Sequence, residues 1–211
     1  KKARAEKVSE ADSKTLADGL PTEEEFTQIK EAYSSLSKNN LECVGKTFTW
    51  KIVESKANYY VLRSVLDKKA KFAILPKPLA SCFGLSLQLD QEDFTFEGFV
   101  YQELNKVPIV SFNPILGKLN ELIPRQQSDL QAGKPHLGLV ESISSTLGLT
   151  LQFPNFTSKI AIKDMQHTDN LSIHYEVGMP LIAAFNKTGR LSCKDVVLYN
   201  VMLSDQQQQH R

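Results

Sequence analysis

Apolar and polar positions follow two different periods along this chain. Phe26, Ile29, Tyr33 and Leu36 recur at helical spacing behind Thr22 and Glu25, a capping box in which each side chain can accept from the other residue's free backbone N–H. The pattern predicts an amphipathic helix over 22–40, ending near Asn39-Asn40. An isolated helix of that length is marginal in water, so its apolar stripe is expected to lie on the domain that follows. From Gly45 the period falls to two. Phe48, Trp50 and Ile52 alternate with Thr47, Thr49 and Lys51, as in a half-buried strand. A second strand carries Tyr59 and Val61 on one face and Tyr60 and Leu62 on the other; if Val61 faces the core, Tyr60 faces out. Asp67-Lys68-Lys69-Ala70 reads as a hairpin turn and 71–75 as a third strand stopped by Pro76. An irregular excursion over 77–97 precedes two strands within 98–112. Five further strands are expected near 136–144, 147–153, 157–163, 178–186 and 189–199.

The strands repeat a motif. Gly45-Lys46 is followed by Val53-Glu54-Ser55, and Gly133-Lys134 by Val140-Glu141-Ser142. The copies close in a similar way, with Gly98-Phe99-Val100 leading to Ile109-Val110-Ser111, and Gly178 leading to Gly189-Arg190-Leu191-Ser192. Five short strands per copy, with a long connection before the last two, is the inventory of an OB-type barrel. The predicted organisation is mainly all-β. A linker at 1–21 and the helix at 22–40 lead to a barrel at 41–113. A connector at 114–130, a second barrel at 131–200 and a tail at 201–211 complete it.

Composition narrows the chemistry. Of 211 residues 41% are apolar and 23% charged, ordinary for a soluble globular chain, and the formal net charge is only +1. Residues 41–118 hold ten Lys/Arg against eight Asp/Glu, and residues 119–211 eight against eight; nucleic-acid affinity would have to come from local placement. No apolar run approaches a membrane span and no signal-peptide pattern opens the chain, so a soluble intracellular protein is expected. Cys43, Cys82 and Cys193 are odd in number and widely spaced, which supports neither a disulfide framework nor a zinc site. His136, His167, His174 and His210 have no metal-ligand spacing, and no catalytic motif is present. The acidic run Asp90, Glu92 and Asp93 reads as solvated surface. No catalytic residue, metal or cofactor is expected.

The second copy, with Gly138-Leu139-Val140, Leu147-Gly148-Leu149-Thr150-Leu151, Ile160-Ala161-Ile162, Asn186 and Gly189-Arg190-Leu191-Ser192, resembles the S-one RNA-binding domain, an OB-type family. The joining run from Ser111-Phe112-Asn113-Pro114-Ile115-Leu116 through Leu122-Ile123-Pro124 to Asp129-Leu130 is similar to the inter-domain pattern of the large multi-domain ribosomal-RNA processing proteins of eukaryotes. The resemblance covers residues 44–195. It implies a non-catalytic scaffold in the nucleolus that binds single-stranded segments of precursor ribosomal RNA beside other ribosome-assembly proteins, with no membrane and no small-molecule substrate. The alternatives are a scaffold whose barrels touch only proteins, and an RNA-binding module of a translation or RNA-decay factor.

S-one domains usually stack bases on aromatics of the second and third strands, with a histidine beside them. Here those positions fall at Leu147, Thr150 and Ala161, which leaves Lys159, Lys163, Asn186 and Arg190 for phosphates. The first copy offers Tyr60 as a stacking residue with Arg63, Lys68, Lys69 and Lys71 as an electrostatic track. Tyr60 as a packed surface aromatic and the lysines as a solvated hairpin tip are the bland alternatives. On this reading the first barrel is the better RNA contact and the second a spacer or docking module. Trp50 is expected in the core.

Overall fold

The computed structural model describes residues 15–33, 43–66, 70–82, 85–86, 94–186, 188–197, 199–200 and 202–203. Lys68, Lys69, the acidic run at 90–93, the end expected for the helix near Asn39-Asn40 and the glutamine tail lie outside the described residues. The chain divides into two compact units, one built around Gly19–Asn120 and the other around Glu121–Met202. The architecture is mainly β, two OB-like five-stranded barrels with a short helix at the N-terminal side.

In the first unit β1 (Thr47–Ser55), β2 (Tyr59–Ser64) and β3 (Phe72–Pro76) form a meander. The short strands β4 (Ser81–Cys82) and β5 (Leu85–Ser86) pair with each other, and β6 (Thr95–Leu104) and β7 (Val107–Ser111) follow as a hairpin. The barrel closes in the order β1-β2-β3-β7-β6, with β3 and β7 parallel through Ile74 and Ile109. Its interior is organised by Trp50, which is fully buried and donates its indole N–H to the Gly98 carbonyl at 3.1 Å. A Cβ on Gly98 would lie 2.5 Å from Val110 Cγ1 and 2.8 Å from Trp50 Cδ1. The glycine is therefore needed where the indole crosses β6, and Trp50 is a core residue as expected.

The predicted helix forms as α1 (Glu23–Ala32), and its capping box is present: the Glu25 N–H donates to Thr22 Oγ1 at 3.2 Å, and the Thr22 N–H to Glu25 Oε1 at 3.3 Å. Phe26 and Ile29 are buried, and the Tyr33 ring stacks on Phe72 of β3 at 5.7 Å. The helix thus covers the first barrel.

In the second unit β8 (Pro135–Ser144), β9 (Gly148–Phe153), β10 (Phe156–Ala161), β11 (Pro180–Phe185) and β12 (Leu191–Ser192) run in the order β10-β9-β8-β11-β12. Val140, Leu151, Phe153 and Ile160 form the centre of its core. His136, in core phase as expected, is 7% exposed; its Nε2 accepts from the Gln131 N–H at 3.0 Å, and burial holds its pKa below the ordinary histidine value. The last strand is much shorter than the 189–199 expected. After Ser192 the chain turns into a 3-10 turn at Lys194–Val196, which buries Val196, and Asn200 then takes the place of a strand neighbour. Its side-chain amide accepts from the Ile182 N–H and donates to the Ile182 carbonyl, both at 2.9 Å.

The repeated motif has a structural meaning in both units. Gly45 and Gly133 stand at φ +84° and +76°, in the left-handed region that favours glycine. The two Val-Glu-Ser triplets carry the bulges that bend β1 and β8, where the register shifts between Ile52 and Glu54 and between Val140 and Ser142.

Candidate binding cleft

An OB-type barrel presents ligands to the outer face of its second and third strands, between the loop joining strands one and two and the loop joining strands four and five. The two units treat that face differently. In the first, residues paired across a ladder share a side of the sheet. The pairs Trp50 with Ser64 and Ile52 with Leu62 therefore put Leu62, and by alternation Tyr60, inside the barrel with Trp50. Tyr59, Val61 and Arg63 of β2 lie outside, with Phe72 and Ile74 of β3 as partners of Arg63 and Val61. That reverses the parity expected from sequence. Val61 is buried, as is Tyr59, because α1 covers the outer face.

Two hydrogen bonds fix that cover. The Tyr59 hydroxyl donates to Glu25 Oε2 at 2.5 Å and the Tyr33 hydroxyl to Glu54 Oε2 at 2.9 Å. Burial first, and the acceptor carboxylate second, push the Tyr33 phenol up to about 12 and raise that of Tyr59 as well. The Glu25 carboxyl is held below its ordinary value, chiefly by the bond from Tyr59 and then by the Thr22 backbone. The loop between β6 and β7 is reduced to Asn105 and Lys106, both with positive φ, the signature of a two-residue hairpin turn.

Tyr60 does not offer a free ring. It is 8% exposed, and Lys77 Nζ sits 5.1 Å from its centroid. Arg63 is exposed at the edge of the helix-covered face. Lys71 donates its backbone N–H to Ser64 Oγ at 2.7 Å and places Nζ 4.9 Å from the Phe48 centroid.

In the second unit the corresponding face is open and holds a cleft of about 570 Å³. Its floor is the outer face of β9 and β10, where the register pairs Thr150 with Lys159 and Gly148 with Ala161. Ser144 lines it from the end of β8 and Leu147 from the turn that follows, and Arg190 lines it from just before β12. Leu147, Thr150 and Ala161, where the resemblance expects base-stacking groups, all line it. Of the site residues expected from sequence, Lys159 and Arg190 come together here, both exposed at their positions on the lining. Lys163 is exposed on the neighbouring 3-10 turn Ile162–Asp164 but does not line the cleft.

Both loops are built by short-range hydrogen bonds. Ser144 Oγ accepts from the Leu147 N–H at 3.1 Å and positions the exposed Leu147 on the rim. Asn186, expected to reach phosphates, organises the other loop instead: its Oδ1 accepts from the N–H groups of Thr188 and Arg190, both at 3.0 Å, and from the Thr188 hydroxyl at 2.5 Å. Gly189, at φ +77°, completes that turn. Gly148 enters β9 at φ +118°, and a Cβ there would overlap the Ile160 carbonyl oxygen.

Sequence reasoning missed Asp164. It is 6% exposed and lines the cleft. Arg190 Nε lies 3.3 Å from its Oδ2, yet that oxygen accepts no hydrogen bond. The backbone carbonyl of Asp164 is engaged by the Cys193 N–H at 2.9 Å and the Ser192 hydroxyl at 3.3 Å, which pins the residue beneath the loop. Its sequence signal is an acidic residue set between Ile162 and Met165 directly after a strand, where solvated charge is the ordinary reading.

No family profile matches this chain, and no curated protein matches it. Among solved structures, a multidomain protein with nucleic acid binding domains from Streptococcus pneumoniae aligns over 71% of the chain at 12% identity, with a TM-score of 0.27. The aligned part is 44% of that protein's own length. Among the described residues no helix is long and apolar enough to cross a membrane, and no group of three His, Cys, Asp or Glu side chains is placed to hold a metal ion.

Proposed function

We propose that this chain is a non-catalytic RNA-binding module in which the second barrel makes the contact, through the cleft over β9 and β10. One observation carries the reading: the face that OB-type barrels use for oligonucleotides is open in this unit, flanked by two preorganised loops, and supplied with Lys159 and Arg190. The cleft offers charge and hydrogen bonding where a nucleic-acid strand would lie, with no stacking aromatics at the three positions where the family carries them. Its affinity for a single strand is therefore modest, and useful mainly beside other weak modules on one polypeptide, each raising the effective concentration for the next. The finer reading is a scaffold of ribosome assembly acting on precursor ribosomal RNA in the nucleolus, alongside other assembly proteins. Its support is the similarity of the joining segment at 111–133 to that of ribosomal-RNA processing proteins.

Leu147, 76% exposed on the cleft rim, favours a second reading in which this face docks a protein. Fluorescence-anisotropy titration of the whole chain with a labelled single-stranded RNA at two or more salt concentrations separates the two. RNA bound through Lys159 and Arg190 should lose affinity with a log–log slope of about −1.4, roughly −0.7 per phosphate contact on a single strand. Absence of binding at low salt would leave the docking reading.

A further inference from the structure

We propose that Asp164 makes the second barrel's cleft selective for guanine among the four RNA bases. The inference rests on the RNA-binding reading above and deepens it from phosphate attraction to base recognition. Asp164 is a buried carboxylate lining a concave site of about 570 Å³, within the size range of small-ligand pockets, and its Oδ2 accepts no hydrogen bond. A buried carboxylate oxygen held by an ion pair alone keeps hydrogen-bond capacity unused, and in a residue that lines a cleft a ligand's donors can take it. Arg190 Nε forms an ion pair with Oδ2 at 3.3 Å but gives it no hydrogen bond, so a base that takes both carboxylate oxygens would displace the arginine. The arginine side chain is 46% exposed, so it has room to swing outward to a phosphate when a base enters.

The chemistry of the carboxylate selects the base. Ionised, it has acceptors only, two oxygens side by side. Guanine alone presents two adjacent donors on its Watson–Crick edge, N1–H and the N2 amine, which a carboxylate can take together. Adenine sets its N1 lone pair, and cytosine its N3 lone pair, next to the amine. Uracil flanks N3–H with two carbonyls. Each of these would turn a lone pair toward Asp164. Guanine O6 is in turn an acceptor suited to the Lys159 ammonium or the Ser158 hydroxyl, both of which line the same cleft. Discrimination of this kind is strong because the wrong base leaves buried polar groups unpaired, and unstacked single-stranded bases are read on just these edges.

The test is anisotropy titration of the unaltered chain with short labelled uridine-rich strands that carry one central guanine, inosine, adenine or cytosine. The guanine strand should bind at least tenfold tighter than the adenine strand, with inosine, which lacks the N2 amine, in between. Asp164→Asn should erase the ranking, the guanine strand falling to the affinity that the same variant shows for the adenine strand. Because the base series is run on unaltered protein, the result does not depend on the variant folding. Measurable and equal binding of all strands would overturn guanine selection alone. Failure of every strand to bind at low salt would overturn the RNA reading together with it.

Discussion

The two barrels share a strand order and a bulged first strand, yet one covers the face that the other leaves open. In the first, α1 lies over β2 and β3, held by Phe26, Ile29 and Tyr33 and by the Tyr59–Glu25 and Tyr33–Glu54 hydrogen bonds. A two-residue turn replaces the loop that would flank a ligand. In the second, Leu147, Gly189 and Arg190 line a cleft with residues of β9 and β10. The richer supply of aromatics in the first copy thus does not go with an open face. Its tyrosines are used to hold a helix and fill a barrel, whereas the plainer second copy keeps its face free.

The largest effect is expected at Trp50. Trp50→Ala removes the largest fully buried side chain of the first barrel and its bond to Gly98, and should cost about 3–5 kcal/mol. Urea unfolding should show that loss in the first barrel while RNA affinity per folded molecule stays the same. Loss of RNA binding in proportion to stability would show that the first barrel contributes contacts of its own.

The pair Lys159→Ala and Arg190→Ala acts on the cleft of the second barrel. Together they should weaken RNA binding by about 2 kcal/mol, taking roughly 1 kcal/mol for each charge-assisted contact, and flatten the salt dependence. Arg63→Ala, exposed at the edge of the helix-covered face of the first barrel, should change neither. Tyr59→Phe comes next. It removes the hydroxyl that donates to Glu25 and should cost about 1 kcal/mol of first-barrel stability, read as a shift in the urea midpoint without a change in slope.

The smallest effect is the pH dependence of the helix cover. Glu25 is held low, so its bond contributes stability above the unfolded carboxylate pKa of about 4.3, and that contribution is lost as pH falls through the lower folded value. Tyr33 is pushed up to about 12, so its contribution is whole below the unfolded tyrosine pKa of about 10 and is lost as pH rises through about 12. The cover is therefore fully held across neutral pH. Glu25→Gln should flatten the stability profile below pH about 4 relative to the unaltered chain, and parallel profiles would contradict the assignment.

Much of the fold is legible in the sequence because its signals are local. The period-two strands, the capping box of Thr22 and Glu25 and the repeated glycines each follow from a few neighbouring residues. The Val-Glu-Ser triplets are legible as a repeat, but the bulges they carry come from the strand register. The face of the first barrel is not legible. Helix and barrel bury both sides of β2, so Tyr59-Tyr60-Val61-Leu62 loses the alternation that tells inside from outside. The end of the second barrel misleads because Val196-Val197 has a strand's composition, while the ladder position beside Ile182 is taken by the Asn200 amide. At the cleft, Lys159 and Arg190 are legible as cations on a strand and a loop. Asp164 is not, since nothing local says that a charge after a strand will be roofed by the 186–190 loop.

The most direct test of the account is to map where RNA lies. A single-stranded RNA carrying 4-thiouridine, photocrosslinked to the whole chain and located by peptide mass spectrometry, should attach to residues 144–150, 158–164 and 186–191. Crosslinks concentrated on residues 59–77 of the first barrel, with none in the cleft of the second, would contradict it.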